Sequence, residues 1–246
     1  PEGINKNGHG EVFDVDSQMR MSATFGAHLA GDPRLSVLFA PGSSNATGEI
    51  IGMPNGRTSD DYTGADGQTY AGIANRTIYA ETHPALRKKD VPMVLLTTAE
   101  VHFLIGEAII RGWVSGDAKT YYDAGVTAAM TMLADFYPGS TPIAQADIDA
   151  FLAGPGAYDS SKGWEMLMNE YWKATFLNEY EAYANWRRTG YPTLSPTQHP
   201  NSVSGNQIMR RMIYPGGESA TNAENYAAAV ARQGADTWMT RMWWDK

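Results

Sequence analysis

The chain has 246 residues, a formal net charge of −8 and a hydrophobic fraction of 43%, enough to bury a substantial core as one large domain or at most two. The acidic balance argues against nucleic acid, which needs clustered Lys and Arg; here only the isolated pairs Arg187-Arg188 and Arg210-Arg211 occur. The absence of cysteine excludes disulfides and thiolate chemistry, no run of about 20 apolar residues exists to span a bilayer, and the opening PEGINKNGHG has no signal-peptide pattern.

In residues 11–40 the apolar run Leu35-Ser36-Val37-Leu38-Phe39 after Pro33 reads as either a short helix or a strand, since periodicity does not separate the two. Residues 41–83 are dense in Gly, Asn, Ser, Thr and Asp, with turn signals at Pro54-Asn55-Gly56 and Asp66-Gly67. A loop of this length inside a compact domain is functional or disordered, and the recurring Tyr62, Tyr70 and Tyr79 disfavour plain disorder.

Residues 97–133 carry the clearest pattern. Thr97 and Glu100 have the spacing of a capping box, and behind them Val101, Leu104, Ile105, Ala108 and Ile109 form one apolar stripe at helical spacing. Gly116 and Asp117 are expected to stop this helix and cap the next. In the second helix Tyr122, Val126, Ala129 and Leu133 share a face, and small Gly125 and Ala128 permit close approach of a neighbour. Together these make an αα-hairpin.

A Pro/Gly-rich connection covers 137–163. One helix is expected from about Ser161 to Arg188, with Trp164, Met168, Tyr171, Trp172, Thr175 and Phe176 inward, Trp186 also in the core, and Glu165, Asn169, Lys173 and Asn178 on a solvated face. Gly190 and Pro192 end it, with Arg187 and Arg188 suiting the negative end of its dipole. Residues 189–220 read as irregular. A final helix starts at Thr221, where Thr221-x-x-Glu224 repeats the capping box, and runs to Gly234. Trp243 and Trp244 fit either closure over the core or contact with a partner.

Chemistry is sparse. Glu100 and Glu107 are the only tempting acid–base pair, but seven helical residues separate their backbones by about 10.5 Å, the far edge of glycoside-hydrolase geometry, and Glu100 already has a capping role. The five histidines lack metal-pair spacing. Asp60, Asp61 and Asp66 offer hard oxygen ligands without the spacing of an EF-hand, and local turns are their more ordinary role; Asp14-Val15-Asp16 is weaker still. The nucleophile elbow, phosphate-cradling loop and dinucleotide fingerprint are missing. These observations predict no catalytic residues, no metal site and no cofactor. The polar–aromatic mixture of Arg57, Asp60, Asp61, Tyr62, Gln68, Tyr70, Tyr79 and His83 suits sugars, whose apolar ring faces stack on aromatics while their hydroxyls pair with polar groups. The competing role for each tyrosine is to pack the loop onto the helices.

The phrases Ala99-Glu100-x-x-Phe103-Leu104-x-x-Glu107-Ala108 and Gly116-Asp117-Ala118-x-x-Tyr121-Tyr122-x-x-Gly125 resemble the late helix pair of SusD/RagB-type proteins, surface lipoproteins that capture nutrients on the outer membrane of certain Gram-negative bacteria. Gly31-Asp32-Pro33-Arg34-Leu35, Trp186-Arg187-Arg188-Thr189-Gly190-Tyr191-Pro192, and Arg210-Arg211-x-x-Tyr214-Pro215 followed by Glu218 and Asn222 agree, as does the ending Trp243-Trp244-Asp245. The resemblance implies a mainly α, SusD-like fold with a tetratricopeptide-like αα-hairpin, additional helices, long irregular loops and little β. It implies a single domain over 1–246, the C-terminal part of a longer protein, with about 1–95 a loop-rich ligand-facing region and about 96–246 a helical scaffold. It further implies a non-enzymatic, surface-exposed outer-membrane protein, held by a lipid anchor absent from this chain. Such a protein would pass oligosaccharide, or less readily peptide, to a SusC-like TonB-dependent transporter. A carbohydrate-active hydrolase is the alternative outside the family.

Overall fold

The computed structural model describes residues 6–15 and 19–245, without the side chains of Asp14 and Val15. Asp16, and with it the proposed Asp14-Val15-Asp16 ligand set, lies outside the described residues, as does the extreme N-terminus. The fold is mainly α with little β. Ten helices occur among the described residues: α1 Gly8–Val15, α2 Ala23–His28, α3 Leu35–Leu38, α4 Thr98–Ile110, α5 Ala118–Phe136, α6 Gln145–Ala153, α7 Gly163–Ala174, α8 Glu179–Thr189, α9 Glu218–Thr221 and α10 Ala223–Gln233. The strands are two-residue pairs: β1 Phe39–Ala40 with β4 Glu81–Thr82, and β2 Tyr62–Thr63 with β3 Thr69–Tyr70, both antiparallel. The apolar run after Pro33 is therefore helix and strand in succession.

The hairpin of α4 and α5 forms as its caps dictate. Thr97 Oγ1 accepts from the Glu100 amide at 3.1 Å, and Glu100 Oε1 accepts from the Thr97 amide at 3.0 Å. Asp117 caps α5 by accepting from the Lys119 amide. The stop for α4 is not Gly116 but Gly112, whose φ of 71° follows Arg111. Replacing Thr97 by alanine removes one reciprocal cap and is expected to lower unfolding free energy by about 1 kcal/mol, read as a lower urea midpoint with unchanged slope. An unmoved midpoint would show that the cap contributes nothing here.

The inward face of α5 is as expected, with Tyr122, Val126, Ala129 and Leu133 buried. That of α4 is not. Its buried positions are Ala99, Glu100, Phe103, Gly106 and Glu107, while Val101 and Leu104 remain 42% and 43% exposed. Small residues decide this, because α4 packs closely on both α5 and α7. A Cβ on Gly106 would lie 2.4 Å from Leu167 Cδ1, and one on Gly125 would lie 2.5 Å from Phe103 Cε1. A stripe chosen for hydrophobicity alone misses a face chosen for close approach.

Three further expectations are corrected. The helix expected over 161–188 is two, α7 and α8. Thr175 Oγ1 bonds back to the carbonyls of Tyr171 and Trp172, and Leu177 takes a left-handed φ of 66°. Lys173, expected in solvent, is buried in an ion cluster. The last helix begins at Ala223, because Thr221 belongs to the short α9 and donates to the Gly217 carbonyl instead of capping α10. In the Pro/Gly-rich connection, α6 was not anticipated; it buries Ile148 and Phe151.

Two apolar clusters make the core. One joins α2, α3 and β1 to Leu86, Val91 and the end of α5 at Leu133 and Tyr137. The other fills the space among α4, α5, α6 and α7. Helix α5 thus runs through both. A buried quartet of charges ties the first segment to α7. Arg34 Nη2 donates to Asp32 Oδ2 at 2.5 Å and to Glu170 Oε2 at 2.6 Å, and Lys173 pairs with Asp32 at 3.2 Å and with Glu170.

Candidate saccharide-binding face

The excursion 41–83 is braced at several points. Asn45 and Asn75 each accept from the amide and hydroxyl of the threonine two residues on, and Thr77 Oγ1 donates to Ser44 Oγ, tying the two turns together. Inside the excursion β2 and β3 form a small hairpin in which Tyr62 sits directly opposite Tyr70. Directly opposed residues share a face of the pair. Their rings stack with centroids 5.3 Å apart and planes 25° apart. The hairpin turn needs Gly67 at φ 77°, and Asp66 Oδ1 accepts from the Gln68 amide across it.

This ring pair is extended at both ends. The guanidinium of Arg57 lies 4.2 Å from the Tyr70 ring centre, and the His199 ring is 4.8 Å from that of Tyr62. The hydroxyls are fixed too: Tyr62 Oη donates to the Gly56 carbonyl at 2.9 Å and Tyr70 Oη to Asp66 Oδ2 at 2.5 Å. The Tyr70 hydroxyl holds the Asp66 carboxyl below the ordinary carboxylate range, and Asp66 in turn raises the Tyr70 phenol. The Ala65 amide donates to the Gln198 carbonyl at 3.1 Å, so the hairpin is seated on an extended strap that contains His199.

Of the eight residues expected from the sequence, Arg57, Tyr62 and Tyr70 are brought into this one column. Asp60, Asp61 and Gln68 are exposed on the same loop, where Asp61 Oδ1 accepts from the Gly72 amide at 2.7 Å. Tyr79 and His83 lie away at the end of the excursion. His83 Nδ1 accepts from the Ala85 amide and caps a short 3-10 turn, and burial with the nearby Arg87 charge pushes its imidazole below its usual value. His199 was not anticipated. It sits in an irregular Pro-flanked stretch, 137 residues from Tyr62, and no local spacing marks it.

The column is pre-organised, with ring edges, a half-buried cation and a rim of exposed Asp60, Asp61, Asp66 and Gln68. Arg57 Nη1 is buried without a hydrogen-bond partner among the described residues. No group of three or more His, Asp or Glu side chains is placed to hold a metal ion among the described residues. The tempting carboxylates are otherwise engaged: Glu100 in its capping box, Glu107 in ion pairs with Arg111 and Arg188.

A family model described as SusD-like, "starch-binding associating with outer membrane", matches residues 5–215. Among solved structures, a chitin-binding protein superposes with a TM-score of 0.84 at 30% identity, covering 99% of this chain and 54% of its own. A Bacteroidetes SusD-like protein gives 0.77 at 25% identity, with 92% and 54% covered. A SusD homologue from Bacteroides fragilis gives 0.74 at 26%, with 100% and 55% covered. The chain therefore spans about half the length of these solved structures. No curated protein matches it.

Proposed function

This chain belongs to the SusD-like family, and on that footing we propose that it is a non-catalytic nutrient-binding protein of the outer-membrane surface. It captures oligosaccharide on the face built around Tyr62 and Tyr70 and passes it to a SusC-like TonB-dependent transporter. The observation that carries the reading is the Arg57–Tyr70–Tyr62–His199 column with its exposed polar rim. Aromatic edges and fixed hydrogen-bonding groups on a rigid support are what orient a polar ligand. The family description and the chitin-binding relative support saccharide over peptide. The engagement of Glu100 and Glu107 in capping and ion pairing supports binding without turnover. On this reading the loop-rich part of 1–95 carries most of the ligand face, and 96–246 supports it and contributes His199. Among the described residues no helix is long and apolar enough to cross a membrane.

Isothermal titration of this chain with maltohexaose, chitohexaose and a set of short peptides tests the proposal. At least one saccharide is expected to bind between micromolar and millimolar, roughly −8 to −4 kcal/mol. Gln68→Ala, at an exposed side chain, should weaken that binding roughly twofold to tenfold, the worth of one hydrogen bond, with no change in thermal midpoint. Tyr62→Ala should weaken it further. Binding of peptide alone, or saccharide affinity indifferent to both substitutions, would overturn the assignment.

A further inference from the structure

The strap that seats the hairpin has a second neighbour. Pro196, three residues before His199 and so within about 11 Å of extended chain, forms with Leu194 one side of a separate cleft of about 320 Å3. Trp186 and Met239 complete its apolar walls, and Gln207, Arg210 and Arg241 bring polar groups to it. That volume is at the small end for a ligand site and suits one or two sugar rings.

The cleft carries an excess of positive charge. Arg210 and Arg241 both reach Asp245 Oδ1, at 3.0 and 3.4 Å, and the Asp245 side chain is wholly buried. Arg187 adjoins them, donating to the Arg210 carbonyl and lying over Trp244. Two guanidinium groups thus share one buried carboxylate, with a third beside them, in a chain of net charge −8. Arg210 is fixed, its guanidinium 4.2 Å from the Trp186 ring centre. Arg241 is half exposed and holds Asp245 only through the longer contact. A planar fork of N–H groups fits a carboxylate by two parallel hydrogen bonds, and the flat apolar walls and Gln207 amide suit the ring that would carry it.

We propose that this cleft binds a uronic-acid residue of an oligosaccharide, with Arg241 receiving the carboxylate and Arg210 supplying charge behind it. The inference rests on the saccharide-binding reading above and names a ligand class for it. On this proposal the hairpin face takes a neutral stretch, and the cleft, linked to it through the strap, takes an acidic residue.

The test is titration of the chain, at low ionic strength, with tetragalacturonate and with the same tetrasaccharide whose carboxyls have been reduced to alcohols. The acidic form should bind roughly ten- to a hundredfold more tightly, as one charge-assisted pair allows, and the preference should shrink as salt rises. Arg241→Gln should bring the two ligands within about threefold of each other. Equal binding of the two forms by the wild type, or a preference that survives Arg241→Gln, overturns the cleft assignment and leaves neutral-saccharide binding at the hairpin standing. Failure of every saccharide, neutral or acidic, removes both.

Discussion

Arg34→Ala is expected to destabilise the protein by about 3–5 kcal/mol, the range for breaking a buried ion pair by removing one partner. Arg34 is 2% exposed, and its guanidinium answers two carboxylates, Asp32 and Glu170, that are equally buried. Alanine would leave two buried anions with Lys173 alone to balance them. The penalty comes from that imbalance, so a double variant Arg34→Met with Glu170→Leu should recover most of it. It removes one charge of each sign, keeps the Asp32–Lys173 pair and refills the space with apolar atoms. Urea unfolding of the three proteins decides the matter: equal losses in the single and double variants would mean that lost packing, not uncompensated charge, is the cause. Acid should probe the same cluster. Burial pushes the Asp32 carboxyl up, but Arg34 and Lys173 outweigh it and hold the group below its ordinary value. A carboxyl depressed in the folded state stabilises fully above its unfolded value of about 3.9 and loses that contribution as pH falls through the folded value. Wild-type stability should therefore decline on the acid side of about pH 4, measured by thermal unfolding at stepped pH.

Where local chemistry acts, the structure follows the sequence closely. The Thr97–Glu100 box, the Asp117 cap and the inward face of α5 depend on neighbours within four residues, which is the range that spacing reports. Gly190, in the left-handed conformation at the end of α8, is legible for the same reason. The departures occur where a distant partner decides. Lys173 has the sequence context of a solvated position, yet Asp32, 141 residues away, draws it inward. Val101 and Leu104 are as apolar as Phe103, but only the face bearing Gly106 can approach Leu167 closely. Thr221 and Glu224 have the right spacing for a cap, and the hydroxyl instead bonds back to Gly217. Hydrophobicity and spacing locate helices here better than they orient them.

The same division holds for the proposed binding face. The density of Gly, Asn and Asp in 41–83, interleaved with tyrosine, marks the region, and the turn at Asp66-Gly67 marks the hairpin within it. Cross-strand pairing then brings Tyr62 and Tyr70 together, which follows from a loop of this length between them. The contribution of His199, and of the strap as a seat, arises from contact between segments far apart in the chain and leaves no trace in local composition. Tyr79 has the same chemistry as Tyr62 and lies in the same stretch, but the excursion leads it elsewhere. Residue type selects candidates; only the path of the chain selects among them.

Phe103→Ala should cost about 3–5 kcal/mol for a reason distinct from charge. Phe103 is fully buried where α4 meets α5 and α7, its ring 6.4 Å from that of Tyr171 and closed over Gly125. Truncation removes apolar area and leaves a cavity that three packed helices are poorly able to collapse into. The glycine beneath supplies the control. In the wild type Gly125→Ala forces a methyl to within 2.5 Å of the Phe103 ring, and overpacking of this kind costs about 1–3 kcal/mol, more than the gain of about 1 kcal/mol from better helix propensity. In the Phe103→Leu background the clash is relieved, so the same Gly125→Ala change should be neutral or stabilising. The two substitutions should therefore couple by roughly 0.5–3 kcal/mol, measured as the difference between urea-derived free energies around the four-protein cycle. Additive effects would mean that α4 and α5 shift apart freely, and that the glycine is not what sets their spacing.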